Sequence, residues 1–414
     1  MPRAKNSLRK YSLKYSTIEG SYWGVMYGAG EAYLRAFFEY LKYSSFQIAF
    51  LTTFPFFIGS IVQNISNYLF HVTKSRKKLI KVLIVLQSFS WICFILIGIY
   101  SGNYFLMLSM VCIYNCICLL MNAPHISWMG YLVPARIRGR YFANRIQVIR
   151  IFMFVSTLIC GLVLDFFREN TINGFLIIFS VAFVSRMISL IPLNKKYEQP
   201  YSEDDEQQNR IDIRAEKYEP IKNFFVFNAL FDFSISINGP LVIVYWMRDL
   251  GFNYFELAII TASSQFVGVI GQRFWGKIID NLGSDRIMFI TASIITFLPL
   301  ALIAYYFLPK VLIFPAAILA ESLSVWIYSG NNISMDNKKR YEMMKGENVI
   351  QLSSKNLFYR GTGVFFGGII GGYLSSIDIS SMPMIATPLH IVMIISCIFR
   401  ILVWSYFLLA SKKF

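Results

Sequence analysis

Twelve long apolar segments alternate with short polar stretches along this chain of 414 residues. Each segment is about as long as the roughly 20 residues that a membrane-spanning helix needs. The pattern therefore predicts an all-α integral membrane protein with twelve transmembrane helices. The predicted segments are 18–40, 46–70, 79–100, 104–128, 141–166, 172–192, 222–247, 254–277, 287–308, 311–333, 348–374 and 384–409.

Lysine and arginine are divided unequally between the two sides of these segments. When the gaps are assigned alternately to two sides, 27 of the 39 basic residues fall on one side or at the segment ends that face it, 4 fall on the other side and 8 lie deeper inside segments. Short loops rich in basic residues stay in the cytoplasm. The bias predicts a multi-pass protein of the cytoplasmic membrane with both termini inside. It also supports the count of twelve, because a misplaced segment would scramble the alternation.

The longest polar stretch between segments covers residues 194–220 and separates six segments from six. It is rich in charges of both signs and poor in apolar residues, which is typical of a flexible linker. The sequence thus predicts an N-terminal six-helix bundle over 1–193, a cytoplasmic linker over 194–220 and a C-terminal six-helix bundle over 221–414. Two such bundles are typical of one large transporter class, whose substrate site lies between the halves near the membrane midplane.

Composition agrees with a membrane protein, since 56% of the residues are hydrophobic and only 15% are charged. The net charge of +16 is better explained by loops facing anionic lipid headgroups than by nucleic acid. The 6 cysteines lie inside apolar segments without metal-ligand spacing, and there are only 3 histidines. We therefore expect no metal, no cofactor and no nucleic acid partner. A monomer without a removed signal peptide is expected.

The loop after the eighth segment, residues 276–286, reads GKIIDNLGSDR. It resembles the signature loop G-x-L-x-D-R/K-x-G-x-R/K of the major facilitator superfamily, with Gly276, Asp280 and Gly283 on the fixed positions and Arg286 closing the loop. The resemblance implies a gating role for these residues, in which Asp280 latches one helix to another. A plain solvated turn is the alternative.

The corresponding loop of the first half keeps only its basic tail. Val72 stands where the acid of the signature would be, and Ser75 stands where its second glycine would be. The latch is therefore doubtful in the N-terminal half.

A second motif covers residues 128–145, WMGYLVPARIRGRYFANR. It is similar to the W-x-x-x-x-V-P-x-x-x-R-G-R-Y-F-x-x-R loop between helices four and five of a poorly characterised prokaryotic branch of the same superfamily. The arginines of this loop can bond helix C-terminal carbonyls or lipid phosphate. We expect a gating or structural role for Arg138, Arg140 and Arg145.

Three acids fall near mid-depth of the membrane, namely Glu31, Asp232 and Glu321. Ionisable residues at that depth are costly and are candidates for function. The family resemblance implies that segments one, four, seven and ten, which include the segments of all three acids, line a central cavity. We expect these acids to carry protons. Polar residues at helical spacing on the same four segments are the predicted substrate-binding set, which is Tyr27, Arg35, Asn115, Asn122, Asn228, Asp232, Glu321 and Tyr328.

Basic residues inside the segments have several interpretations. Glu31 and Arg35 are four residues apart and can pair on one helix face, as a static pair or as a proton switch. Arg360 is predicted to gate, through a pair between the bundles or by binding an anionic group. Other arginines, including Arg186 and Arg400, are expected to snorkel towards the membrane surface. The glycines of segment eleven predict close helix packing.

The sequence as a whole predicts a secondary active transporter that works by alternating access. Three acids against few deep arginines favour a small cationic, zwitterionic or neutral polar solute, moved with protons. The alternatives are an exporter of lipophilic drugs or lipids through an aromatic cavity, and an uncoupled facilitator. A membrane enzyme is disfavoured because the sequence has no catalytic cluster. A sensor is disfavoured because there is no added soluble domain, and ATP is not expected as the energy source because there is no Walker motif.

Overall fold

A computed structural model describes residues 2–134, 137–198, 219–337, 349–378 and 387–410. These residues form helices joined by short turns, and no strand occurs among them. Most of the predicted linker, residues 199–218, lies outside the described residues, as do Arg136 and the side chain of Arg138.

The helices up to residue 194 follow one another with very short connections. In chain order they are α1 (Pro2–Met26), α2 (Ala32–Tyr40), α3 (Ser45–Val62), α4 (Ser66–Thr73), α5 (Arg76–Tyr100), α6 (Tyr104–Leu120), α7 (Asn122–Leu132), α8 (Arg138–Phe166), α9 (Thr171–Ile188) and α10 (Leu190–Asn194). A π-helical turn, Tyr27–Glu31, joins α1 to α2.

The remaining helices start at residue 219. They are α11 (Glu219–Ser236), α12 (Val242–Val244), α13 (Tyr254–Leu282), α14 (Ser284–Tyr306), α15 (Lys310–Asn337), α16 (Val349–Leu374) and α17 (Pro388–Ala410). A second π-helical turn, Tyr245–Asp249, follows α12.

Within the described residues, ten helical stretches are long and apolar enough to cross a membrane. They are Ser45–Ile65, Arg76–Tyr100, Tyr104–Leu132, Arg140–Phe166, Arg168–Asn194, Glu219–Asp249, Tyr254–Leu282, Ser284–Tyr306, Lys310–Met335 and Pro388–Tyr406. Predicted segments 18–40 and 348–374 are helical but are not among the ten. Segment 18–40 contains four charged residues, and segment 348–374 combines two basic residues with six glycines, which lowers the hydropathy of both.

The chain divides into two compact units. The first unit comprises Met1–Phe37 and Ile58–Gln208, and the second comprises Phe38–Phe57 and Asn209–Phe414. Helix α3 contributes to both, because its residues up to Phe57 group with the C-terminal helices. We call them the N-terminal unit and the C-terminal unit.

The N-terminal unit is built around apolar side chains of α5, α7 and α10. Trp128 and Leu132 of α7 are buried against Leu79 and Ile80 of α5 and against Leu193 of α10. Burial of this kind contributes roughly 25 cal/mol per Å² of apolar surface in soluble proteins, whereas dispersion and close packing dominate between membrane helices.

Glycines bring α1 against α8 in the N-terminal unit. A Cβ atom added at Gly24 would lie 2.6 Å from the carbonyl oxygen of Ile149, and one at Gly28 would lie 2.6 Å from that of Met153. Only a residue without a side chain permits this approach. The two glycines are four residues apart and therefore share one face of the helix.

The C-terminal unit uses the same device between α16 and α11. Added Cβ atoms at Gly363, Gly367 and Gly371 would lie within 2.3 Å of backbone carbonyl oxygens of α11 and of Ile237, which directly follows it. The predicted close packing of segment eleven is confirmed, and its partner is segment seven. The apolar core beside this contact includes Phe224 and Leu352.

Candidate functional site

Glu31 is the last residue of the π-helical turn Tyr27–Glu31. Such turns are rare and often occur at functional sites. Glu31 Oε1 accepts a hydrogen bond of 2.6 Å from the hydroxyl group of Tyr114 on α6. The turn itself is held in place because Gly30 faces the ring of Trp91. The predicted pair between Glu31 and Arg35 stays a prediction.

Hydrogen bonds continue from Tyr114 into the interior of the N-terminal unit. The amide nitrogen of Gln87 lies 3.4 Å from the Tyr114 hydroxyl oxygen and donates to the Cys118 sulfur at 3.1 Å. Gln87 Oε1 accepts from Arg186 Nε at 2.6 Å. Gln87 and Arg186 are both buried. The side chains of α5, α6 and α9 thus connect Glu31 to a buried arginine.

Arg186 leads to a buried carboxylate on α1. Its Nη1 atom lies 3.7 Å from Glu19 Oε1, while Lys196 Nζ donates to Glu19 Oε2 at 2.9 Å. Arg145 completes the cluster, with Nη2 at 3.7 Å from Glu19 and Nε donating to the carbonyl oxygen of Ser16. Glu19, Arg186 and Lys196 are each no more than 5% exposed. The prediction that Arg186 snorkels is wrong, because it is enclosed by polar partners within the unit.

Lys196 shows how closely this cluster depends on its one acid. Burial lowers the pKa of the Lys196 ammonium group, and the Glu19 carboxylate opposes that shift. A buried ion pair that loses one partner leaves an uncompensated charge, which is strongly destabilising. Sequence reasoning missed Glu19, although a glutamate one turn before an apolar, glycine-rich stretch was visible.

Asp232 has a different kind of partner in the C-terminal unit. Arg360 of α16 donates to both carboxylate oxygens of Asp232 on α11, from Nε at 2.5 Å and from Nη2 at 3.3 Å. The Arg360 side chain is 38% exposed and that of Asp232 is 14% exposed. This pair lies within one unit, and the predicted pair of Arg360 between the bundles stays a prediction.

Arg400 organises a second polar cluster in the C-terminal unit. It donates to the carbonyl oxygen of Ile295 at 2.8 Å and to Asn238 Oδ1 at 2.7 Å, and Ser396 also donates to Asn238. Arg400 is 5% exposed, so the expectation that it snorkels is wrong. Asn238 lies beyond the polar stripe seen in segment seven and was missed.

The other predicted binding residues of the C-terminal unit lie close to these two clusters. Tyr328 interacts electrostatically with Arg400, Glu321 and Asp232. Asn228 is buried and its Nδ2 donates to Asn356 Oδ1 at 3.0 Å. Tyr328 thus lies within electrostatic range of both Asp232 and Glu321, and a substrate-binding role for the three residues stays a prediction.

The remaining predicted binding residues of the N-terminal unit are less closely grouped. Tyr27 packs on the ring of Trp23, with centroids 5.6 Å apart, and its electrostatic neighbours are Glu31, Arg35 and Arg150. Two predicted asparagines stand apart from this group. Asn115 donates to the carbonyl oxygen of Val111 on its own helix, and Asn122 is exposed at the start of α7.

The predicted gating loop of the C-terminal unit forms a tight helix–helix turn. Gly283 has φ of +81°, a conformation that glycine adopts without strain, and it separates α13 from α14. Asp280 and Arg286 flank it and are exposed, while Gly276 lies one turn earlier in α13. The geometry agrees with the turn that the motif requires, and the latch itself stays a prediction.

In the N-terminal unit an acid from the linker reaches the loop whose signature acid is missing. Glu198 accepts hydrogen bonds from the hydroxyl group of Ser75 and from the backbone N–H of Lys77, at 2.8 and 2.9 Å. A carboxylate is stabilised at a helix N-terminus, here that of α5. Of the arginine motif, Arg140 is exposed and Arg145 joins the Glu19 cluster.

Several solved structures with the same fold are transporters. The nucleoside transporter NupG aligns over 98% of this chain and 99% of its own, with a TM-score of 0.68 and 14% identity. A bacterial homologue of the human lysosomal transporter Spinster aligns over 98% of this chain and 97% of its own, at a TM-score of 0.67 and 14% identity. A D-xylose–proton symporter aligns over 97% of this chain and 96% of its own, with a TM-score of 0.68 and 13% identity.

No protein-family model matches the chain, and no curated protein sequence matches it. The likeness to solved structures is one of fold. The chain has the fold of the major facilitator transporters.

Proposed function

We propose that the protein is a secondary active transporter of the cytoplasmic membrane that moves a small polar solute together with protons by alternating access. The proposal includes twelve membrane-spanning helices, with both termini in the cytoplasm. Support for the class of function comes from the fold, which is shared with transporters of nucleosides and D-xylose.

Proton coupling is proposed because the two acids Asp232 and Glu31 have different kinds of partner. Asp232 is paired with Arg360, and protonating it would leave a cation without its partner. Glu31 instead accepts its hydrogen bond from the uncharged Tyr114. A carboxylate with an uncharged partner can take up a proton without breaking an ion pair. Glu31 is therefore the proposed proton carrier, and Asp232 is assigned to binding and positioning.

The same contrast narrows the substrate class. Of the three acids expected to attract a cation, Asp232 is already neutralised by Arg360. The C-terminal unit offers Tyr328, Asn228 and the Asp232–Arg360 pair as donors and acceptors of hydrogen bonds. Such a set suits a neutral or zwitterionic solute with several polar groups better than a simple cation. The neighbours that carry nucleosides and D-xylose are consistent with this substrate class.

An exporter of lipophilic compounds is the alternative that the aromatic residues would favour. In the C-terminal unit, however, Phe50, Phe54 and Phe57 of α3 pack in sequence against Phe365 of α16, with ring centroids 5.0 to 6.1 Å apart. These rings contact one another. They explain part of the high phenylalanine content by helix packing.

Proton flux in proteoliposomes tests the proposal. Purified protein would be reconstituted with a trapped pH dye and challenged with nucleosides, sugars, amino acids and amines. We expect solute-dependent proton movement in the wild type, its loss in Glu31→Gln, and its retention in Glu169→Gln, which makes the same change at an exposed acid. Solute equilibration without any proton movement would instead establish an uncoupled facilitator.

The proposed topology has a separate test. Single cysteines at the exposed positions Glu169 and Asn281 would be labelled in intact cells with a membrane-impermeant maleimide, in a background with the native cysteines replaced. Labelling is expected at position 169 and not at position 281. The reverse pattern would contradict the orientation.

A further inference from the structure

A short segment after α10 is fastened along one end of the N-terminal unit. We call residues 194–198 the strap. The backbone N–H of Tyr197 donates to Ser12 Oγ at 2.8 Å, and the Tyr197 carbonyl oxygen accepts from Trp128 Nε1 at 2.9 Å. Lys77 Nζ donates to the carbonyl oxygens of Asn194 and Lys196. The strap is thus bonded to α1, α5 and α7.

Lys196 ties the strap to the interior of the unit. Its ammonium group lies 2.9 Å from Glu19 and 5.1 Å from the centre of the Trp128 ring. Lys196 is only 2% exposed. An ammonium group buried to this degree requires a compensating charge, so the strap stays closed only while Glu19 is available to Lys196.

Glu19 is shared among several cations, and this makes its charge balance sensitive. Arg186, Arg145 and Lys196 all lie within 3.7 Å of its carboxylate, and His125 is a further electrostatic neighbour. The three positive charges of these side chains exceed the single negative charge of Glu19. The second acid within electrostatic range of Arg186 is Glu31.

The two acids are joined by an unbroken series of polar contacts. From Glu31 it passes through Tyr114, Gln87 and Arg186 to Glu19, with four separations of 2.6, 3.4, 2.6 and 3.7 Å. Gln87 is 1% exposed and Tyr114 is 4% exposed. In surroundings of low polarity, charges at both ends of such a series influence each other more strongly than they would in water.

We propose that the charge of Glu31 is transmitted through Tyr114, Gln87 and Arg186 to Glu19, and that loss of this charge loosens the strap by weakening the hold of Glu19 on Lys196. The proposal rests on the proposed function, because it describes the structural change that follows when Glu31 takes up a proton. That change is in the strap, which begins at the end of α10. When Glu31 is neutral, Arg186 depends on Glu19 alone, and the three cations share one negative charge. Lys196, which also has to anchor the strap, loses part of its compensation.

The groups that face the two acids set the limits of this mechanism. Around Glu31 they are Tyr114, Arg186, Cys118 and Tyr27, and Arg35 and Arg150 are further electrostatic neighbours of Tyr27. Arg186 is the cation that both acids share. It is therefore a positioning residue, since it acts on the strap through Glu19.

Amide hydrogen exchange, read by mass spectrometry at a single pH, tests the proposal on the intact reconstituted protein. Exchange at Tyr197 and Glu198 reports the strap directly, because the Tyr197 N–H is bonded to Ser12. In Glu31→Gln, which mimics the protonated acid, we expect strap exchange to rise between about twofold and tenfold, the range typical of coupled neighbours. Glu19→Gln should release the strap fully, and Glu169→Gln should leave it unchanged.

A second variant, Gln87→Leu, tests whether the effect of Glu31→Gln on the strap depends on the polar contacts between Glu31 and Glu19. Gln87→Leu removes the hydrogen bonds of Gln87 to Tyr114, Cys118 and Arg186 and leaves all charges in place. In Gln87→Leu the addition of Glu31→Gln should change strap exchange by less than about twofold. Equal effects in both backgrounds, or wild-type exchange in Glu31→Gln, would overturn the proposal.

These outcomes are separate from those of the proposed function. Unchanged proton flux in Glu31→Gln would contradict proton coupling even if the strap responds to the substitution. Lost proton flux with an unresponsive strap would retain the coupling and reject the transmission to the strap.

Discussion

The two units hold their mid-depth acids in opposite ways. In the N-terminal unit Glu31 is bonded to an uncharged hydroxyl group, and the cation beyond it is engaged by Gln87 and Glu19. In the C-terminal unit Asp232 is paired directly with Arg360. An acid of the first kind can change its charge while its direct partner stays in place, whereas a change of charge in an acid of the second kind breaks an ion pair. The comparison supports the proposal that Glu31 carries the proton and that Asp232 has a binding and positioning role.

The units agree in how they pack their glycine faces, so breaking this packing should have the largest effect. Gly367→Leu would drive a side chain into the carbonyl oxygen of Phe233, and Gly28→Leu would do the same at Met153. Overpacking in protein cores costs about 1–3 kcal/mol, and here the obstacle is backbone. We expect both variants to lose most of their folded yield in detergent. Gly130→Ala should behave as wild type, because the added Cβ atom would meet no neighbouring side chain or backbone of another element within 4 Å.

The ion pair of the C-terminal unit should give the next largest effect. Asp232→Asn leaves the Arg360 guanidinium group without its carboxylate and should lower the melting temperature in detergent. Adding Arg360→Gln should recover part of that loss, with a coupling of about 1 kcal/mol because Arg360 is partly exposed to solvent. Strictly additive losses would show that the two residues are not energetically paired.

Glu31→Gln should change stability less than Asp232→Asn does. The amide keeps an oxygen that can accept from Tyr114, so the cost should be about that of one weakened hydrogen bond, roughly 1 kcal/mol. The melting temperatures of the two single variants, measured side by side, compare the two kinds of site directly. A larger loss in Glu31→Gln would reverse the assignment of roles.

Tyr114→Phe should have the smallest effect, visible mainly in the pH profile of transport. The Tyr114 hydroxyl group donates to Glu31, and a donor of this kind favours the charged carboxylate. Its removal makes protonation easier, so the pH midpoint of proton-coupled transport should rise by up to about one unit. A midpoint that falls, or stays in place, would show that this bond does not bear on the proton carrier.

Much of the fold was predictable from the sequence because apolar periodicity and charge bias act over whole segments. Ten of the twelve predicted segments correspond to helices long and apolar enough to span a membrane. One exception contains Glu31, the proposed proton carrier, and the other contains the glycines that pack α16 closely against the helix of segment seven. Hydropathy alone therefore does not identify a membrane helix that contains several charged residues or glycines.

The site was predicted only in part. Glu31 and Asp232 could be singled out from the sequence, because an acid in the middle of an apolar segment interrupts the hydropathy pattern, and their roles stay predictions. Their partners could not be inferred, since Tyr114 and Arg360 lie 83 and 128 residues away along the chain. Arg186 and Arg400 were mistaken for snorkelling residues because position near a segment end does not show which way a side chain points.

Infrared difference spectroscopy across pH tests the central contrast most directly, because it reads carboxyl protonation without knowledge of the solute. The carbonyl band of a protonated carboxyl group would be compared in wild type, Glu31→Gln and Asp232→Asn/Arg360→Gln, the last of which removes the ion pair as a unit. The account predicts a titrating band that disappears in Glu31→Gln and persists in the double variant. A band that survives in Glu31→Gln and vanishes with the Asp232–Arg360 pair would contradict it.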